Sequence, residues 1–227
     1  MIPLRDENPT DSTPVVTVLL ILLNCLVFGY EISLTTESAQ IFERFVKRWG
    51  FIPLRFNAFD PGTYETLFTS MFLHGGYLHL GGNMLFLWVF GDNVEDELGS
   101  FNYMMFYLVC GLAGAFGQYL VAPNSEIPLI GASGAIAGVL GSYMLLYPTA
   151  RVLTAVIIVF FIRLIYLPAW ILLGVWMLLQ LLQGTASLGV PGTGGGVAWF
   201  AHIGGFLAGG VMVFFLRAWK LEKRSRR

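Results

Sequence analysis

The sequence predicts an all-α membrane protein, a bundle of six transmembrane helices. Of the 227 residues, 56% are hydrophobic and 12% are charged, whereas an ordinary soluble domain has roughly 45–50% and about 25%. The apolar residues are gathered in blocks of about 16 to 22, a length that crosses a hydrocarbon core of roughly 30 Å. The basic residues form no stripe interleaved with aromatic side chains, so we expect no nucleic-acid partner.

The apolar blocks divide the chain into one membrane domain between two short tails. The predicted tails are residues 1–13 and 218–227, and the predicted membrane domain is 14–217. The six predicted spans lie at about 14–33, 76–91, 101–121, 132–147, 168–184 and 197–216.

The first span begins after Asp11, Ser12 and Thr13, which are residue types that cap helices. The residues before it are acidic, which is not typical of a signal or transit peptide, so we expect this span to remain as an anchor. Residues 34–75 mix charged and aromatic side chains, a composition that predicts a folded loop at the membrane surface.

Spans two and three end in the polar segments DNVEDELGS and APNSEIP, and span four ends before Pro148. The next apolar stretch, from Arg151 to Leu182, is too long for one crossing and is interrupted by Arg163 and Pro168. We therefore expect a short interfacial helix followed by span five. A Gly-rich loop, LGVPGTGGG, precedes span six.

The distribution of basic residues predicts the orientation. The last eleven residues, RAWKLEKRSRR, hold six of the thirteen Lys and Arg residues, which places this end in the cytoplasm by the positive-inside rule. Six crossings put the N-terminal end on the same side. The loops at 122–131 and 185–197 contain no Lys or Arg and should face outward. Ser133 and His202 would then both lie just inside the outer face.

The segment IGASGAIAG is the first candidate for chemistry, because Ser133 stands at the predicted start of span four among small residues. Free N–H groups and the positive end of the helix dipole suit a developing oxyanion there. The alternative is simple packing, because Gly134 and Gly138 form a small-xxx-small pair that lets helices approach.

The segment AHIGGFLAGG places His202, Gly205 and Gly209 on one face of span six. If this face packs against the glycines of span four, the His202 imidazole comes within hydrogen-bond reach of the Ser133 hydroxyl. The alternative for an isolated membrane histidine is a structural hydrogen bond.

The third segment, HGGYLHLGGN, places His79 and Asn83 on one face of span two, where their donors could stabilise an oxyanion. His74 cannot share that face and is predicted to anchor the loop.

The sequence lacks the residues that other classes of intramembrane enzyme use. There is no HExxH zinc motif, and no two spans carry an aspartate each. Cys25 and Cys110 make no metal-binding spacing, so we expect neither a metal nor a cofactor. Because no Asp or Glu is predicted in spans four or six, the simplest arrangement is a Ser/His dyad without a carboxylate.

These three motifs, in this order on a six-span chain, closely resemble the rhomboid family of intramembrane serine proteases over about residues 60 to 210. The resemblance implies that Ser133 is the nucleophile and His202 the general base and acid. It also implies that His79, Asn83 and the Ser133 backbone N–H hold the oxyanion, and that Gly131 supports the turn before the nucleophile.

The family fold implies a water-filled cavity covered by span five and by the loop GVPGTGGGVAW, with single-span membrane proteins as substrates. Two places depart from the family pattern: Glu65 and Thr66 stand where Trp-Arg is frequent, and Ala137 stands where many relatives carry an aromatic residue that stacks on the catalytic histidine.

The predicted function is therefore an intramembrane serine endopeptidase in a prokaryotic plasma membrane. One alternative is a catalytically weak or inactive rhomboid-like protein that binds transmembrane segments. A transporter is disfavoured, because the spans carry almost no acidic groups to relay ions.

Overall fold

A computed structural model describes residues 1–158, 160–188 and 197–225, and it is mostly helical, which confirms the predicted helical bundle. Short 3₁₀ turns lie in the segment before α4. The helices and strands in chain order are β1 (Ile2–Asp6), α1 (Val15–Glu37), α2 (Ala39–Trp49), α3 (Glu65–Thr69), α4 (Tyr77–Leu98), α5 (Ser100–Val121), α6 (Ser133–Leu146), β2 (Arg151–Ile158), β3 (Phe161–Pro168), α7 (Ala169–Ser187) and α8 (Trp199–Ser225).

Six of these helices overlap the predicted spans, although α4 continues to Leu98, beyond the predicted end of span two at about residue 91. Helices α1, α5 and α7 and the segment Trp199–Ala218 of α8 are long and apolar enough to cross a membrane. Helix α6 is apolar but has only 14 residues, and α4 carries acidic residues in its last two turns. Which side of the membrane each end faces stays a prediction.

Helix α6 lies at the centre of the bundle. Most of its residues are buried, including Ala137, Leu140 and Tyr143, which are at most 1% exposed. A helix that is apolar on all sides is covered on all sides by its neighbours. The most extensive packing in the molecule is between α6 and α8. Helix α6 also packs against α4, α5 and α7, so its start is held inside the bundle.

The start of α1 is capped by a distant residue and not by its own sequence. The N-cap position is Pro14, and no side chain next to it accepts a hydrogen bond. The buried Glu95 carboxylate of α4 accepts instead from the backbone N–H groups of Val16 (2.9 Å) and Thr17 (2.8 Å). A carboxylate at this end also complements the helix dipole. The local capping expected from Asp11, Ser12 and Thr13 was therefore wrong.

The region between α6 and α7 is a β-hairpin, so the predicted interfacial helix was wrong. Strands β2 and β3 pair antiparallel from Arg151↔Pro168 to Ile158↔Phe161. Strand β1 pairs with β2 along its outer edge, so residues 1–13 are not simply a tail. The physical reason is composition, because RVLTAVII is rich in β-branched residues that favour extended backbone.

The segment between α1 and α4 is folded against the bundle. The buried Phe51 and Leu67 pack with Ala115 of α5, and the backbone of Phe51 pairs with Leu129 in an isolated bridge. Glu65, which departs from the family pattern, forms a salt bridge with Arg48 of α2 at 2.5 Å. These contacts anchor the segment by an aromatic cluster and by an ion pair on α2.

Candidate active site

The structure brings Ser133 and His202 into direct contact. Ser133 is the first residue of α6 and His202 is the fourth of α8, and the Ser133 hydroxyl lies 2.8 Å from His202 Nε2. His202 is only 9% exposed, whereas Ser133 is half-buried. The contact has the length of a good hydrogen bond between a hydroxyl and an imidazole nitrogen.

Glycine is what allows the two helix starts to meet. A Cβ built on Gly205 would lie 1.9 Å from the carbonyl oxygen of Gly134, and one built on Gly209 would lie 2.0 Å from that of Gly138. No side chain fits at such distances, so the two backbones touch directly. The Ser142 hydroxyl adds a hydrogen bond to the Gly209 carbonyl at 2.9 Å. The glycine faces of the two helices thus pack as their spacing predicts.

His79 and Asn83 of α4 converge on the turn before Ser133. A Cβ built on Gly131 would lie 2.6 Å from His79 Nε2 and 3.6 Å from the Asn83 amide nitrogen. Gly131 also has φ +120°, which side chains rarely adopt. The Gly75 N–H donates to His79 Nδ1 at 3.4 Å, so His79 Nε2 carries the proton and is a donor.

His74 is fully buried and lies beside this pair. Its Nε2 accepts a hydrogen bond from the Asn83 amide at 2.9 Å, and its Nδ1 faces the Phe72 carbonyl at 3.3 Å. One N–H of Asn83 is therefore held by His74, and among the described residues the other has no acceptor, so it can donate to a ligand. His74 thus orients Asn83 as well as occupying the loop position predicted for it.

Three residues around the site were missed from the sequence. Glu31 of α1 is fully buried, and its carboxylate accepts from the His74 backbone N–H at 3.2 and 3.1 Å. An acidic residue within an apolar block of membrane-spanning length indicates a functional role, so Glu31 could have been identified from the sequence. Gln180 of α7 contacts His202 Nδ1 at 2.7 Å, and the Trp176 ring lies 5.8 Å from the His202 ring.

The shortness of α6 sets the depth of Ser133. A helix of 14 residues is about 21 Å long, whereas the hydrocarbon core is roughly 30 Å thick. The sheet that follows α6 belongs outside the core, so the C-terminal end of α6 lies at one surface of the core. The N-terminal end of α6, where Ser133 lies, then stops about 9 Å short of the opposite surface. Ser133 is thus recessed within the membrane if α6 runs along the membrane normal.

The arrangement contains the groups that acyl transfer requires. It contains a hydroxyl bonded to an imidazole, and two side-chain donors near the turn that precedes the hydroxyl. The residues predicted at this site, Ser133, His202, His79, Asn83 and Gly131, all lie in one cluster. The segment GVPGTGGGVAW, predicted to cover the site, falls largely on residues 189–196, which lie outside the described residues.

Comparisons with known proteins agree with the motifs. The sequence model of the rhomboid domain matches residues 61–219. Rhomboid protein 1, mitochondrial, of Saccharomyces cerevisiae is 30% identical over 162 residues, which cover 70% of this chain and 43% of the yeast protein. Rhomboid-like protein 11, chloroplastic, of Arabidopsis thaliana is 30% identical over 69% of this chain and 53% of its own length.

A bacterial relative is named as a protease. Rhomboid protease GluP of Bacillus subtilis is 39% identical over 83 residues, which cover 37% of this chain and 16% of GluP. The chain spans about half the length of the yeast and Arabidopsis relatives.

Proposed function

The chain belongs to the rhomboid family and is an integral membrane protein, and from this premise we propose that it is an intramembrane serine endopeptidase. The observation that carries the proposal is the 2.8 Å contact between Ser133 Oγ and His202 Nε2. Family membership by itself is compatible with an inactive protein that only binds transmembrane segments. The contact favours catalysis, because it places a nucleophile against a base.

In the proposed reaction, Ser133 Oγ attacks the carbonyl carbon of the scissile peptide bond while His202 Nε2 takes its proton. The carbonyl oxygen becomes an oxyanion, which His79 Nε2–H, the free Asn83 N–H and the Ser133 backbone N–H stabilise. His202 then gives the proton to the leaving amine, and the C–N bond breaks. Water hydrolyses the resulting ester with His202 acting again as base, which frees the Ser133 hydroxyl.

We propose that the substrates are single-span membrane proteins. Ser133 lies at the start of a helix too short to span the core, so a scissile bond must enter the bilayer region to reach it. A helical substrate must also unwind locally, because backbone carbonyls within a helix are already hydrogen-bonded. We also propose that both ends of the described chain face the cytoplasm and that the site lies near the outer face of the membrane, because basic residues are concentrated near the C-terminal end.

The test combines a cleavage assay with a covalent probe on the purified full chain. A fluorophosphonate forms an Oγ–P bond with an activated serine and expels fluoride, while the hydroxyl proton passes to the base. We expect Ser133 to label, and we expect both Ser133→Ala and His202→Ala to lose labelling and cleavage of a transmembrane reporter. Cleavage by folded Ser133→Ala would reject the nucleophile, and an unlabelled wild type that binds the reporter would favour the inactive alternative.

A further inference from the structure

We propose that Gln180 is a positioning residue that fixes the tautomer and orientation of His202, an inference that rests on the proposed function. Gln180 lies on α7, 22 positions before His202 in the chain, and its side chain is buried at 6% exposure. It belongs to none of the three sequence motifs. Its contact with the second ring nitrogen completes a chain of three side chains: Gln180, His202 and Ser133.

The orientation of the Gln180 amide follows from its two contacts. Its oxygen lies 2.7 Å from His202 Nδ1, and its nitrogen donates to the Trp176 carbonyl at 3.4 Å. The reversed amide would place two oxygens against each other at Trp176. The group that faces His202 is therefore an oxygen, which can accept a hydrogen bond but cannot donate one.

An acceptor at Nδ1 determines where the imidazole proton resides. Neutral histidine carries one ring proton, and a partner that only accepts holds that proton on Nδ1. Nε2 is then unprotonated, and its lone pair faces the Ser133 hydroxyl 2.8 Å away. This is the tautomer that a general base needs, because only an unprotonated Nε2 can take the serine proton.

Helix α7 also supplies the flanking ring. Trp176, one turn before Gln180, lies 5.8 Å from the His202 ring at an interplanar angle of 34°, and Trp199 meets it edge-on at 6.3 Å. Ala137 of α6 is fully buried and too small to provide such a face. An aromatic face within about 6 Å also favours the imidazolium that forms during proton transfer. Trp176 of α7 thus provides the aromatic contact with the His202 ring that Ala137 is too small to provide.

A neutral amide suits this location better than a carboxylate. A buried carboxylate would need to be desolvated inside the membrane, which costs several kcal/mol per ion. Glutamine offers the same acceptor without a charge. The expected contribution of Gln180 is therefore one of orientation, smaller than that of a charged third residue.

The experiment compares three substitutions in the full chain in detergent. Gln180→Leu removes the acceptor, Gln180→Glu restores one, and Gln183→Leu makes the matched change on an exposed side chain of the same helix. We expect Gln180→Leu to lower kcat and the rate of fluorophosphonate labelling about tenfold, with KM within about twofold, because the lost hydrogen bond acts on proton transfer and not on substrate binding. Gln180→Glu should recover kcat to within about threefold of wild type, and Gln183→Leu should match wild type.

Two results would overturn the inference. One is a Gln180→Leu protein whose kcat stays within about twofold of wild type. The other is a Gln180→Glu protein that is folded but as slow as Gln180→Leu, since an acceptor at His202 Nδ1 would then make no difference to the rate. Labelling of wild type at Ser133 is the reference throughout. Its absence refutes the proposed function, whereas normal labelling of both wild type and Gln180→Leu refutes only this inference.

Discussion

Gly205→Ala tests whether direct backbone contact between α6 and α8 is what assembles the dyad. The new Cβ would stand 1.9 Å from the Gly134 carbonyl oxygen, whereas carbon and oxygen atoms not bonded to each other approach to about 3.3 Å. The two helices must therefore separate by about 1.4 Å at this level. Gly134 adjoins Ser133, and Gly205 follows His202 by less than one turn.

A displacement of that size breaks the catalytic contact. The 2.8 Å distance between Ser133 Oγ and His202 Nε2 would grow to about 4 Å, beyond hydrogen-bond length. A misplacement of about 1 Å in a catalytic group can lower the rate by about 100-fold. We therefore expect Gly205→Ala to reduce kcat for a transmembrane reporter, and the rate of fluorophosphonate labelling, by about two orders of magnitude.

Two companion variants separate geometry from stability. Gly209→Ala meets the Gly138 carbonyl oxygen at 2.0 Å, but it lies about 10 Å along α8 from His202, so it should destabilise the protein comparably and lower activity less. Gly29→Ala on α1 meets nothing within 4 Å and should behave as wild type. Activity of Gly205→Ala within threefold of wild type, or equal losses in Gly205→Ala and Gly209→Ala, would refute the reasoning.

Three further outcomes are expected. Gly131→Ala should lower kcat at least about 100-fold, because its Cβ meets His79 Nε2 at 2.6 Å and displaces an oxyanion donor. It should also lower the thermal stability, because φ +120° is strained for alanine. Wild-type kcat would contradict this role. Glu31→Leu should lower the free energy of unfolding by about 1–3 kcal/mol, because the buried His74 backbone N–H loses its acceptor. Glu31→Gln keeps an oxygen at this position, so it should lower the free energy of unfolding less. Unfolding in detergent measures both variants. Burial raises the pKa of Asp6, so the folded state binds the carboxyl proton more tightly than the unfolded state does. Stability should therefore fall as the pH rises from the ordinary pKa of aspartate to the raised one. Asp6→Asn should flatten the dependence of Tm on pH over this interval, and an unchanged profile would show that Asp6 does not contribute.

The helices and the contact between Ser133 and His202 could be predicted from the sequence because their signals are local. Apolar blocks of membrane-spanning length mark the helices. Glycines at helical spacing beside Ser133 and His202 mark the faces that meet. In each case residues close together in the chain carry the pattern, and only one assumption about helix packing is needed to connect them.

The sheet and the supports of the dyad could not be predicted in the same way. Pairing of β1 with β2 joins Ile2 to Ala155, and a strand of five residues has no periodicity long enough to identify its partner. The hairpin itself had a usable signal in its β-branched residues, which apolar length obscured. The contact of Gln180 with His202 depends on how α7 lies against α8, which no spacing within either helix specifies.

The pairing of β1 with β2 also constrains the number of times that the chain between them crosses the membrane. Backbone hydrogen bonds do not bridge a hydrocarbon core, so residues 2–6 and 151–158 lie on one side of the membrane, and the chain between them crosses an even number of times. The four spans predicted before the sheet, which overlap α1, α4, α5 and α6, satisfy this requirement, whereas α2, at 11 residues, is too short to add another crossing. A chain that failed to insert any one of the four would carry its first strand to the wrong side. The sheet can then form only after every earlier span has been inserted across the membrane, so its formation requires a correctly inserted chain.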